Sequence, residues 1–210
     1  MTDAPARRRT YARPYDRDAA LQAALDLFWA KGYHTTSLKD LEAALNMKPG
    51  SIYAAFTSKE ALFLAALERY FETNQKALRA RIATAPGPVA GLVGYLRDLG
   101  RAGGRAVPCH ACMLVKTLLD ATPADPTIAA AARRYLDLMH ADIAAAFEQA
   151  RTAGDIAADA DPELLASRYQ SDVTALRIEA HRGMAPTALA ALAESMIADL
   201  LRACGERQTA

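Results

Sequence analysis

Three observations predict an all-α protein. Of the 210 residues, 52% are hydrophobic, so the chain can bury a core, and much of that share is alanine, the strongest helix former. Val, Ile and Thr, which favour pleated surfaces, are comparatively few. Apolar residues recur at spacings of three and four in segment after segment, with Pro or Gly between the segments. About nine helices result, with no internal repeat.

The first helix reads from about Asp16 to Lys31. Ala20, Leu21, Ala24, Leu25 and Phe28 share one face, and Gly32 ends it at a position that tolerates positive φ. Trp29 is expected to pack on the helices that follow. In "TTSLKDLEAALN", Thr36 or Ser37 can cap a second, short helix with a buried stripe of Leu38, Leu41 and Leu45. Asn46, Met47 and Lys48 make the turn. Pro49 suits the first turn of a third helix, where its missing N–H costs nothing. Gly50 permits close approach to a neighbour, and Ile52 and Phe56 face inward. "TSKE" opens a fourth helix, with Thr57 or Ser58 as cap and capping-box spacing from Thr57 to Glu60. That helix runs to about Ile82. Five more are expected at roughly 88–103, 108–121, 126–153, 161–182 and 186–204.

The formal net charge is only +1, so its distribution carries more information than its total. Arg7, Arg8, Arg9, Arg13 and Arg17 stand against Asp16 alone near the start. Such a basic arm ahead of a folded region is a nucleic-acid device, and equally a solvated tail. No apolar stretch follows the arginines as in a signal peptide, and no apolar run suits a membrane span. Three cysteines make no disulfide framework. A cytoplasmic protein with no membrane partner and no cofactor is expected.

The third helix is too short to hold itself, so its neighbours must. Two short helices joined by a tight turn and framed by longer ones make a helix-turn-helix unit. In such units the N-terminal end of the second short helix enters the major groove. Lys48 and Lys59 can neutralise phosphates, Ser51 can approach a base edge, and Tyr53, Thr36 and Ser37 offer hydroxyls. The spacing fits equally a plain helical hairpin with Tyr53 in its core.

"FWAKGYHTTSLKDLEAALNMKPGSIYAAFTSKEALFLAALERY" resembles the DNA-binding domain of the tetracycline-repressor (TetR) family. Gly32, Tyr33, Thr36, Ser37, Leu38, Leu41, Gly50, Ile52, Tyr53, Phe56, Ser58, Lys59, Glu60 and Leu62 match that family's pattern in register. The resemblance covers about residues 14–74, with the helix-turn-helix at 37–56. Ala54 and Ala55 depart from it, removing possible phosphate or base contacts, while Pro49 is a tolerated variant. The resemblance implies a homodimeric repressor of a palindromic double-stranded DNA operator, with a helical ligand-binding and dimerisation domain over 75–210 and a small-molecule inducer. It places the dimer interface on the last two helices. Their stripes agree: Leu189, Leu192, Met196 and Leu200 beside Ala193, Ile197, Leu201 and Cys204, then Leu165, Tyr169, Val173, Leu176 and Ala180.

"VPCHACMLVKTLLD" is the second informative stretch. With Pro108 at the start of a helix, Cys109 and Cys112 fall in its first turn on one face, where the dipole stabilises a thiolate, and His110 stands between them. Two small core residues would also account for the pair. "ACMLVKT" resembles the Gly-Cys-Leu-Leu-Val-Asn motif of TetR-family regulators that respond to electrophiles, with Cys112 at the motif's cysteine, Ala111 for its glycine and Lys116 for its asparagine. The additional Cys109 permits a Cys109–Cys112 disulfide. A soft metal ion on Cys109, Cys112 and His110, with His140 or His181 as distant candidates, is the alternative sensor.

Neither Glu-x-x-His pairs, nor a Gly-rich phosphate loop, nor a nucleophile elbow is present, which argues against an enzyme. A helical adaptor that has lost DNA binding is the remaining rival, and Ala54 and Ala55 leave room for it.

Overall fold

The computed structural model describes residues 16–101 and 111–205. These fold into nine helices in chain order: α1 Arg17–Lys31, α2 Leu38–Leu45, α3 Pro49–Phe56, α4 Lys59–Thr84, α5 Pro88–Arg101, α6 Met113–Asp120, α7 Pro126–Ala153, α8 Pro162–His181 and α9 Pro186–Ala203. Proline opens α3, α7, α8 and α9 at positions where its missing N–H is harmless. The arginine arm before Asp16 and the stretch from 102 to 110 lie outside the described residues.

Two hydrophobic cores sit end to end. The first joins α1 to the N-terminal half of α4 through Phe28, Leu41, Ile52, Phe56, Phe63 and Leu67, and it extends into α6 and α7 with Met113, Leu114, Ile128 and Tyr135. The second joins α5, α7, α8 and α9 through Leu92, Leu96, Phe147, Tyr169, Leu189 and Ile197. Helix α4 spans both, with Phe71 in the first and Leu78 in the second. Cys204 is buried in the second core. Glycine sets the closest approaches of α5. A Cβ on Gly91 would lie 2.5 Å from the Ile82 Cα, and one on Gly100 would lie 2.6 Å from the Ala193 Cβ.

The caps resolve the alternatives left by the sequence. Ser37, not Thr36, caps α2: its Oγ accepts from the Asp40 N–H at 3.2 Å, while Asp40 Oδ2 accepts from the Ser37 N–H at 2.8 Å. Ser58 caps α4, accepting from the Ala61 N–H at 3.0 Å. The Thr57–Glu60 box is therefore not formed, because Thr57 is the C-cap of α3, with φ 67°. Helix α6 is shorter than expected at its start. The Ala111 carbonyl accepts from the Trp29 indole at 2.7 Å, and the first helical acceptor is the Cys112 carbonyl, bonded by the Lys116 N–H at 2.9 Å. Cys112 is thus the N-cap of α6, with extended backbone, and not a residue of a helical first turn.

Candidate nucleic-acid interface and ligand cavity

Helix α3 is anchored by one face. Ile52 and Phe56 are buried, and the Arg17 guanidinium lies 5.2 Å from the centre of the Phe56 ring. The opposite face and the first turn are open: Lys48, Gly50, Ser51, Tyr53 and Ala54 are exposed, and Pro49 is half-exposed. Tyr53 is 42% exposed, which removes the reading of it as a core tyrosine. Gly50 departs from expectation. A Cβ there would meet nothing within 4 Å, and Gly50 is not among the glycines with positive φ. The fold itself therefore has no need of glycine at this exposed turn.

The other expected DNA-binding residues divide. Thr36 is buried at 1% exposure and donates to the Gly32 carbonyl at 2.7 Å, so its hydroxyl shapes the turn after α1 and is not presented outward. Ser37 is exposed, but its hydroxyl donates to Asp40 Oδ2 at 2.7 Å. Lys59 opens α4, and its ammonium lies 4.6 Å from the centre of the Tyr33 ring. Burial lowers its pKa, opposed by the nearby Asp40 carboxylate.

The C-terminus of α1 ties this unit to the rest of the protein. A helix end leaves four carbonyls without helical partners. Here Phe28 receives the Gly32 N–H at 2.7 Å, and Lys31 receives the Thr35 hydroxyl. The Trp29 and Ala30 carbonyls receive the Lys116 ammonium of α6, at 3.0 and 3.1 Å. The Trp29 indole reaches back to Ala111, and His34 bonds Asp125 at 3.0 Å just before α7. Lys116 stands where the resembled motif has asparagine, and its role depends on a partner 87 positions away.

Behind α6 lies a cavity of about 50 Å³. Its apolar wall includes Phe71, Leu136, Met139, Ile143 and Val173, and its polar wall is Tyr70, Asn74, Tyr95, Cys112 and Arg177. Arg177 donates to Asn74 Oδ1 at 2.7 Å, to the Tyr70 hydroxyl at 3.2 Å and to the Tyr95 hydroxyl at 3.3 Å. Burial raises the Tyr70 pKa, so that residue stays a neutral phenol. Cys112 is half-buried in this wall; Cys109 and His110 lie outside the described residues. No group of three metal-ligating side chains occurs among the described residues, and His140 bonds Ser167 at 3.1 Å. Sequence reasoning missed the polar wall. The available signal was an arginine four positions after Val173 on the inward stripe of α8.

A short helix buried on one side, open at its first turn and held against two framing helices, defines a helix-turn-helix protein. Residues 20–66 match the family model described as bacterial regulatory proteins, tetR family. The HTH-type transcriptional repressor ComR of Escherichia coli is 49% identical over 67 residues, which cover 31% of this chain and 32% of ComR. The chain thus matches about a third of that curated relative's length. The uncharacterised HTH-type regulator YezE of Bacillus subtilis is 30% identical over 139 residues, 64% of this chain and 68% of YezE. Among solved structures, a cysteine-substituted mutant of the TetR-family regulator CifR, complexed with 26-base-pair double-strand operator DNA, superposes with a TM-score of 0.83. It is 31% identical, over 90% of this chain and 98% of that one. The chain belongs to the TetR family: it is a DNA-binding transcriptional regulator, not an enzyme. No helix among the described residues is long and apolar enough to cross a membrane.

Proposed function

We propose that the protein is a homodimeric repressor that binds a palindromic double-stranded operator through residues 14–74 and is released by an inducer held in residues 75–210. The observation that carries the DNA-binding part is the open first turn of α3 on its buried Ile52–Phe56 face. Lys48, Pro49, Gly50, Ser51 and Tyr53 meet the major groove and its phosphates, Ser37 and Lys59 flank them, and Thr36 only shapes the turn. The vacant space over Gly50 admits a sugar-phosphate backbone. CifR, in complex with operator DNA, supports this docking.

Dimerisation falls to α8 and α9. Leu164 and Ile178 are 60% and 44% exposed on α8, while Leu192, Met196 and Leu201 of α9 are only half-buried in the single chain. A second copy on this face would place two α3 helices about 34–36 Å apart, or a multiple of one turn.

The inducer occupies the cavity behind α6. Added volume there displaces α6, because packed interiors yield poorly. Lys116, Trp29 and His34 carry the displacement to α1 and so to α3. The inducer acts only through its differential affinity for the two states. Cys112 gives the cavity a thiol at the positive end of α6, open to electrophiles.

Gel shifts on DNA upstream of the protein's own gene test this, with wild type and Cys112→Ser, with and without N-ethylmaleimide. Wild type should bind and be released by the reagent; Cys112→Ser should bind and stay. Failure of untreated wild type to bind overturns the operator reading. Normal release of Cys112→Ser makes the thiol a wall residue and leaves the cavity to a non-covalent inducer.

A further inference from the structure

We infer that the cavity behind α6 binds a small organic monocarboxylate, with its carboxylate on Arg177 and its apolar part against Phe71, Leu136, Met139, Ile143 and Val173. The inference rests on reading this cavity as the regulator's ligand site.

The charge balance of the cavity points there. Arg177 reaches the interior, since its guanidinium bonds the hydroxyls of Tyr70 and Tyr95, both buried. Its three hydrogen-bond partners are all neutral: two phenols and one amide oxygen. No carboxylate lies within 4 Å of it among the described residues. The acids that flank it on α8 are engaged elsewhere. Glu179 pairs with Arg182 at 2.7 Å, and Asp172 faces Arg168. A guanidinium stays charged at any ordinary pH. Withdrawing it from water without a counter-anion is costly, and in proteins such charges are paired. Three hydrogen bonds also use only part of its five N–H donors.

The rest of the wall fixes the class of anion. One cation balances one negative charge. The remaining polar groups, Asn74, Tyr70, Tyr95, Gln170 and Thr174, are uncharged. A phosphate dianion would lack a second cation, whereas a planar carboxylate suits the planar fork of arginine. The other surfaces are apolar, which favours a hydrocarbon tail. A cavity of about 50 Å³ has room for about four waters, so a ligand of about four to six non-hydrogen atoms fits without large rearrangement.

Thermal melting of the full-length protein with sodium butyrate, butyramide and inorganic phosphate tests this. At ten times its dissociation constant, butyrate should raise the melting temperature by about 3–6 °C. Butyramide, the same shape without the charge, should bind at least tenfold more weakly, and phosphate should give no saturable shift. Arg177→Gln should abolish the butyrate shift. If that variant does not fold, the comparison of butyrate with butyramide in wild type still decides. Equal effects of butyrate and butyramide, equal effects of butyrate and phosphate, or no butyrate effect would each overturn the proposal. Operator gel shifts without any ligand test the repressor reading separately, so retained DNA binding with no butyrate effect would refute the carboxylate alone.

Discussion

Helix α3 and the cavity behind α6 are opposite solutions to displaying chemistry. In α3 the buried side is closed by Ile52 and Phe56, and the polar side faces outward with nothing in the chain against it. In the cavity the polar groups turn inward and bond one another, with Arg177 at the centre. The first surface is complete without a partner, because water satisfies it. The second holds a charge that water does not reach freely and no acid balances. A surface of the first kind is read by a large polyanion, while the second selects a small ligand. The link between them is short: Lys116 on α6 completes the end of α1.

The largest expected effect comes from the face that sets the distance between two copies of α3. Leu192→Glu should give a monomer in sedimentation at micromolar concentration and lower operator affinity by more than about a hundredfold, because the two half-sites are then bound independently. A stable dimer with unchanged affinity would place the interface elsewhere.

Lys116→Met cuts the link itself. Removing a charged donor from two helix-terminal carbonyls should cost about 1–3 kcal/mol in urea unfolding. Operator affinity should fall only severalfold, while release by N-ethylmaleimide becomes weaker. A variant released as fully as wild type would show that the signal travels through α4 instead.

Lys48→Ala should weaken operator binding severalfold on any sequence. The slope of log affinity against log salt should fall by about 0.9, the value for one phosphate contact per recognition helix. An unchanged slope would take Lys48 out of the interface.

The smallest effect concerns the frame that holds α3. The Lys31 ammonium, 2.7 Å away, and the Ser37 N–H hold the Asp40 carboxyl below its ordinary value of 3.8. A depressed folded pKa means that this contribution is fully present above about pH 4 and fades as the pH falls further. Urea melts from pH 6 downward should show a slightly smaller acid loss in Asp40→Asn than in wild type. Identical pH profiles would show that the pair contributes nothing.

The two regions also differ in how far the sequence discloses them. Helix α3, its turn and its buried pair lie within eleven consecutive positions from Asn46 to Phe56, so periodicity and turn chemistry reveal them together. The cavity draws Tyr70, Tyr95, Cys112 and Arg177 from four different segments, and only packing brings them together. Cys112 stood out in the sequence for its reactivity, and the structure adds its setting. Arg177 passed unnoticed because one charged residue on an amphipathic helix is ordinary until its surroundings are known. Thr36 shows the reverse error. A hydroxyl beside a cap looks available, and only the bond to the Gly32 carbonyl shows it is used within the chain.

The central claim is that the first turn of α3 is shaped for a partner's backbone and not for the fold. Gly50→Ala tests it most directly, because the added methyl meets no atom of the chain and alanine favours a helix. Fluorescence anisotropy of labelled upstream DNA, titrated with wild type and Gly50→Ala, should show at least a tenfold loss of affinity. Thermal melts of the same samples should show stability unchanged or raised by up to about 1 kcal/mol. Wild-type affinity in the variant would contradict the account, as would a loss of affinity accompanied by a matching loss of stability.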